Sequence, residues 1–422
     1  MNQSVDNFVS QLKRRYKRKY QEFIVSLINY KYIHFRQITG SNRTAIETAN
    51  LLRTVISNSR WSTAASLLQL IREIAVRIIK AQPIEFAVGN IVRRVLHLVR
   101  EEYRANCSIT SNETSNTESS TALKRFGEEI IRTNSPMEDD LSFTAFKNAA
   151  GYLSTSAAIS GSSINSASLG RSMTDSSMYN LLADKSEESV DYTRPLFALK
   201  QLVIQGLNEL IDELETVESN IASQSLEYIH NNEVIMTIGK SNTVAQFLIN
   251  AARKRQFQVI VAEAAPNYGG HQMVKTLAAA GIETLLIPDA SVYALMARVN
   301  KVIIGCHAVT ANGGLIAMAG SEMVAASARH YSIPVCVVAG MYKLSPVYPE
   351  NHDSFNLFGP PDAVLPFDQS NLIDRVNVIN PCFDYVPPNH VDLFVTNVGG
   401  HPPSYIYRLL GELYDQEDYK LY

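Results

Sequence analysis

Two histidines, two carboxylates and a thiol stand where apolar, strand-like runs give way to helix-like stretches. That is where reactive groups gather in α/β proteins. His271 follows Gly269-Gly270 and His307 follows the run KVIIG, so either has the position for acid–base work near neutral pH. Neither has a carboxylate close by in sequence to orient its ring, and a structural or interfacial role is the simpler reading. Glu263 and Asp289 end or follow two such runs, and a carboxylate pair on one rim could transfer protons. Asp289 fits better as the N-cap of a helix over Ala290–Val299. Among Cys107, Cys306, Cys336 and Cys382, Cys306 alone is placed like a nucleophile. It has no basic partner nearby in sequence to lower its pKa, which favours a buried thiol.

Two short motifs invite a nucleic-acid or nucleotide reading and do not sustain it. Gly239-Lys240-Ser241 lies between a strand and a helix, but a phosphate-binding P-loop needs a glycine where this chain has Val234. Ser241 or Asn242 as a helix N-cap accounts for the loop, and a simple anion could still sit at that helix start. The run KRRYKRKY (13–20) interleaves charge with tyrosine, as RNA-binding segments do. On a helix, however, Leu12, Tyr16 and Phe23 share one face and most of the bases fall elsewhere, which describes a solvated or partner-docking helix.

The elements that must carry these residues fall into zones. Residues 1–104 read as a helical domain, with apolar side chains at helical spacing in Phe8, Leu12, Tyr16, Phe23 and Leu27, then Leu67, Ile71, Ile74 and Ile78, then Ile91, Val95 and Leu98. Residues 105–190 are dominated by Ser, Thr, Asn and small residues, too polar to offset chain entropy, and read as a mostly disordered insertion. A long connecting helix is expected within 191–230, and 231–422 alternates apolar runs with helices. The runs are 233–238, 258–263, 282–288, 301–305 and 334–339, with helices over Thr243–Lys254, Gly270–Ala280, Ala290–Val299 and Gly313–His330. Runs of that length rich in β-branched residues predict a parallel sheet covered on both faces. The fold class is therefore α/β, an N-terminal helical bundle followed by a Rossmann-like parallel-sheet domain.

Composition narrows the function classes. Of the 422 residues, 46 % are hydrophobic and 19 % charged, as in a folded, core-forming chain. A formal net charge of −3 gives no global reason to expect nucleic acid or an anionic membrane as partner. No apolar run approaches the roughly 20 residues needed to span a bilayer, and the N-terminus lacks a signal peptide's apolar core. Four scattered cysteines without C-x-x-C spacing fit reduced thiols in a cytosolic protein and offer no zinc site.

The stretch from VIVAEAAPNYGGHQMVKTLAAAGIETLLIPDASVYALMARVNKVIIG through CHAVTANGGLIAMAGSEMVA resembles a family that includes methylthioribose-phosphate and ribose-bisphosphate isomerases and the regulatory subunits of translation initiation factor 2B. The resemblance spans roughly 191–414 and extends more weakly over the first hundred residues. QPIEFAVGNIVRRVLHLVREEY, FDYVPPNHVDLFVTNVGG and PSYIYRLLGELY are similar to one regulatory subunit in particular. It implies a fold of the sugar-phosphate isomerase type. It also implies, for the isomerases, a cysteine and an aspartate that shuttle protons and arginines that grip phosphate. Carried over by position, the cysteine falls on Gly239, the aspartate on His307, and the two arginines on Ala265 and Gln272. With His271, these positions outline a vestigial pocket without thiolate or guanidinium.

What the resemblance implies is thus a non-catalytic subunit without a cofactor. Its partners would be the alpha, gamma, delta and epsilon subunits of the exchange factor and the alpha subunit of initiation factor two, phosphorylated or not. His230, Asn232, Val234, Ile260, Leu285 and Ile287 are the expected contacts with the delta-type partner, with ordinary sheet core as the alternative. An active aldose–ketose isomerase and an RNA-binding protein using Lys13–Tyr20 are the competing functions.

Overall fold

The computed structural model describes residues 40–81, 84–107, 191–194, 198–349, 356–368 and 375–421. The basic run 13–20 and the insertion beyond Cys107 lie outside the described residues. Residues of Met1–Tyr103 and Asp191–Tyr422 belong to one compact unit, those of Arg104–Val190 to another. Both sheets and the helices that cover them lie in the first unit.

Three helices lead the described chain: α1 (Ser41–Asn58), α2 (Ala64–Ala81) and α3 over residues 86–107. Each buries one apolar stripe at helical spacing, as in Leu52, Val55 and Ile56 of α1, Leu67, Ile71 and Ile78 of α2, and Ile91, Val95 and Val99 of α3. The connecting helix predicted as one element is α4 (Leu199–Ser223), with Val203, Leu207, Leu210 and Leu214 buried, and a short turn α5 (Ser225–Tyr228). At Gly206 a Cβ would come within 2.8 Å of Leu98, so glycine sets how closely α3 and α4 approach.

The sheet follows: β1 (Val234–Ile238), α6 (Asn242–Ala252), β2 (Gln258–Ala262), α7 (Gly269–Ala279), β3 (Glu283–Ile287), α8 (Val292–Met296) and β4 (Lys301–Gly305). Then come β5 (Ala308–Val309), β6 (Leu315–Met318), α9 (Ser321–His330), β7 (Val335–Val338), β8 (Phe383–Val386), β9 (Leu393–Val395), β10 (Gly400–His401) and α10 (Ile406–Leu413). The main sheet has the order β10-β9-β7-β4-β1-β2-β3, parallel except for β10. Its runs are parallel because helices connect them, and β1, β2, β4 and β7 are buried because helices cover both faces there. The expected α/β architecture is observed.

Two expectations are corrected. The helix predicted over Gly313–His330 starts only at Ser321, because Leu315–Met318 pairs with β5 and β8 in a separate antiparallel sheet. The chain reverses at Gly313 (φ +82°), where Thr310 N–H and Oγ1 both donate to Gly314 O. The helix predicted over Ala290–Val299 shortens to a 3₁₀ turn at Asp289–Ser291 and α8, and Asp289 caps neither.

Candidate functional site

Counting from β1, the chain places β2 and β3 on one side and then crosses back to lay β4 on the other. Loops leaving β1 and β4 therefore diverge, and the opening between their carboxyl ends is the switch point where open α/β sheets bind ligands. A cavity of about 740 Å³ lies there. Its walls are Ile238, Lys240 and Ser241 after β1, and Gly305, Cys306 and His307 after β4, closed by Gly40–Arg43 from the start of α1 and by Glu215 and Glu218 of α4. Met318, Ser321, Tyr342, Lys343 and Phe383 complete it.

Local chemistry explains the rim. Ser241 is the N-cap of α6, its Oγ accepting the Val244 N–H at 3.4 Å, as expected. Gly305 lets the two loops touch, since a Cβ there would lie 2.6 Å from Ser241 Oγ. Gly239 has φ +59°, and a Cβ on it would collide with the thioether of Met318. The slot in front of that backbone is filled from β6.

His307 is held on all sides. Its Nε2 donates to Ile84 O at 3.0 Å, since a carbonyl can only accept, and its Nδ1 lies 3.4 Å from Ser41 Oγ. Its ring stacks on Phe383 at 4.6 Å, and a Glu85 oxygen lies 4.0 Å away. The carboxylate missing from its own stretch of sequence thus comes from the start of α3. Cys306 is a buried thiol, as expected. Burial pushes its pKa up, against the opposing pull of Lys343, whose ammonium is itself buried and donates to Cys306 O at 2.7 Å.

The remaining vestigial positions sit apart from the cavity. Ala265 lies in the loop after β2, where the N–H groups of Ala264 and Ala265 donate to the Asp289 carboxylate at 2.9 and 2.7 Å. Asp289 thereby ties the loops after β2 and β3 together. His271, on the first turn of α7, is half-exposed with Glu263 3.6 Å away. Gln272 accepts from Lys240 Nζ at 3.0 Å. Of the expected pocket residues, then, His307 lines the cavity, Gln272 reaches it through Lys240, and Ala265 and His271 do not line it.

The sequence reading missed Glu215, Glu218, Ser41–Arg43, Met318, Ser321 and Lys343, which reach the site from distant parts of the chain. The cavity combines three cations, Arg43, Lys240 and Lys343, with two carboxylates. Two of those cations are already engaged, Lys240 by Gln272 and Lys343 by Cys306 O.

The expected interface residues occupy the opposite part of the sheet. The register pairs Met236 with Ile260 and Ile260 with Leu285, and Ile238 with Ala262 and Ala262 with Ile287, so Val234, Ile260, Leu285 and Ile287 do share one face. Ile260 and Ile287 are buried in the core beneath α8 and α9, Val234 packs partly against it, and Leu285 is 43 % exposed on the edge strand. His230 and Asn232 are exposed before β1, Asn232 in the left-handed region with φ 63°.

Comparison with known proteins gives a consistent result. Residues 37–403 match the model of the Initiation factor 2 subunit family. The chain is similar to translation initiation factor eIF2B subunit beta of Schizosaccharomyces pombe, at 40 % identity over 91 % of this chain and 94 % of that protein. A ribose 1,5-bisphosphate isomerase of Archaeoglobus fulgidus is 31 % identical over 55 % of this chain and 72 % of its own length. A chain in the crystal structure of the tetrameric eIF2B-beta2-delta2 complex from C. thermophilum matches with a TM-score of 0.57 at 26 % identity, covering 94 % of this chain and 95 % of that one.

Proposed function

This chain belongs to the Initiation factor 2 subunit family, and from that premise we propose that it is a non-catalytic regulatory subunit, of the beta type, in the complex that exchanges GDP for GTP on initiation factor two. In this reading it works in the cytosol, assembles with alpha, gamma, delta and epsilon subunits, docks the alpha subunit of its substrate and responds to that subunit's phosphorylation. A phosphoserine adds up to about −2 charge and three acceptor oxygens, enough to change the preferred docking geometry on a rigid array.

The observation that carries the reading is the extent of the similarity: it runs along nearly all of both chains for a beta subunit, and along about half of this chain for an isomerase. The site agrees. Gly239, the counterpart of the isomerase cysteine, faces a slot filled by Met318. His307, the counterpart of the aspartate, is held by Ile84 O and Ser41. Ala265 and Gln272 supply no charge for a phosphate.

The assembly surface in this reading is the β3 edge around Leu285, with His230 and Asn232 at its margin. Ile260 and Ile287 support it from beneath. A pull-down of the tagged chain from cytosol, with mass identification of what co-purifies, tests the proposal. Recovery of delta-type and substrate chains is expected. Recovery of the chain alone, together with turnover of ribose 1,5-bisphosphate, would overturn it in favour of an aldose–ketose isomerase.

A further inference from the structure

The C-terminal residues 415–421 form an ionic contact with the N-terminal helices that the site does not use. Asp418 is fully buried. Its Oδ1 accepts from Arg72 of α2 (Nε 3.2 Å, Nη2 2.7 Å), and its Oδ2 lies 2.9 Å from Arg100 Nη1 of α3. Arg100, 2 % exposed, also meets Asp415 at 3.2 Å and Glu417 at 2.8 Å. Arg93 of α3 donates from Nε to Asp418 O at 3.2 Å and from Nη2 to Tyr419 O at 3.1 Å. Arg72 and Arg100 thus meet three carboxylates while Arg93 holds two backbone carbonyls, and Arg93 and Arg100 are buried. The buried Arg100–Asp418 pair at the centre of this contact tolerates loss of one partner poorly, because the charge left behind stays desolvated.

The same helix α3 also meets the α/β layer near its other end. The turn before it carries Ile84 and Glu85, which hold His307 at the cavity rim. Residues 86 and 100 are about 21 Å apart along the helix. One lever therefore joins the C-terminal segment to His307 on the rim of the cavity.

We propose that residues 415–421 are a clasp, with Asp418 as its node, that holds α2 and α3 down and so keeps His307 seated on the cavity rim. Releasing the clasp lifts the helices locally and frees the rim at Cys306 and His307 while the sheet stays intact. This inference does not depend on which reading of the cavity's function is right.

The chain carries its own reporters. Cys306 is buried in the cavity wall, and Cys336 is buried in β7, paired with Ile303 of β4 and Leu393 of β9 and outside the cavity. The test is alkylation of the full-length protein, quantified by peptide mass at each cysteine, in the natural chain and in Asp418→Asn. A second variant ends at Tyr414. The clasp predicts that alkylation of Cys306 accelerates on the order of 100-fold in both variants while Cys336 changes little. Equal acceleration of both thiols would mean that the segment stabilises the whole fold, and unchanged rates would mean that it holds nothing down. Either result overturns the proposal.

Discussion

The two edges of the main sheet are finished in different ways. At one edge β10 is two residues long, antiparallel, and begins with glycine. At the other, β3 runs five residues, pairs along its length with β2, and exposes Leu285 and Leu286 (43 % and 37 %) on its two faces. Sheet edges are ordinarily shortened, charged or covered, because a long apolar edge pairs with other chains. The first edge follows that practice. The second carries one exposed charge, Glu283, and that carboxylate is engaged by Gln258 at 2.8 Å. An edge left in that state is open to pairing with another chain, as the proposed assembly role requires.

Leu285→Asp should weaken association with a delta-type partner by roughly 100-fold or more, as charge placed on a buried interface anchor does. Val398→Asp, at an exposed apolar site beside β10, should leave association unchanged. Titration of the labelled partner checks both, and equal effects at the two edges would erase the comparison.

Ile260→Ala sharpens it from below. Ile260 shares a face with Leu285 but is buried, so its loss should cost about 2–5 kcal/mol of stability. Leu285→Ala in the isolated chain should cost under about 1 kcal/mol. Denaturant melts of the two variants check the pair.

His307→Ala should cost about 1–2 kcal/mol, since it strips partners from Ser41 Oγ and Ile84 O. It should leave association at β3 intact. A large loss of association would place the rim, rather than the edge, in the interface.

The smallest effect concerns pH at the β10 edge. Burial holds His401 below its ordinary pKa, against the opposing pull of Glu412, and its ring stacks on Tyr405. The unfolded chain therefore takes up a proton more readily near pH 6.5. The stability from a neutral His401 is present above that pH and declines as pH falls from about 7 toward 5. Amide exchange at 400–405 should rise over that range, with no matching change at β3.

Local signals in the sequence decided most of the sheet. Lys301–Gly305 reads as a strand from its three consecutive β-branched residues and ends at Gly305. β1, β2 and β3 read the same way to within a residue or so at each end, because helices flank short apolar runs. The Ser241 cap was legible because capping is chemistry between near neighbours. The β5–β6 hairpin was not: Gly313-Gly314 followed by an apolar run is compatible with a helix start, and the pairing of Leu315 with Val386 decided otherwise. Asp289 likewise had a local role to offer and took a distant one, at Ala264 and Ala265.

The cavity was half legible for the same reason. Its rim residues follow strands and can be found by counting along the chain. Glu215, Arg43 and Lys343 are brought in by packing of elements far apart in sequence. The burial that separates Ile260 from Leu285, on one face of one sheet, depends on where α8 and α9 stop covering it. Periodicity gives the face and not the extent of the cover.

The most direct measurement is the native mass of this chain co-expressed with a delta-type subunit. A hetero-oligomer containing both chains is the expected result, lost when Leu285 becomes aspartate. A chain that stays monomeric beside that partner would contradict the assembly role assigned to the β3 edge.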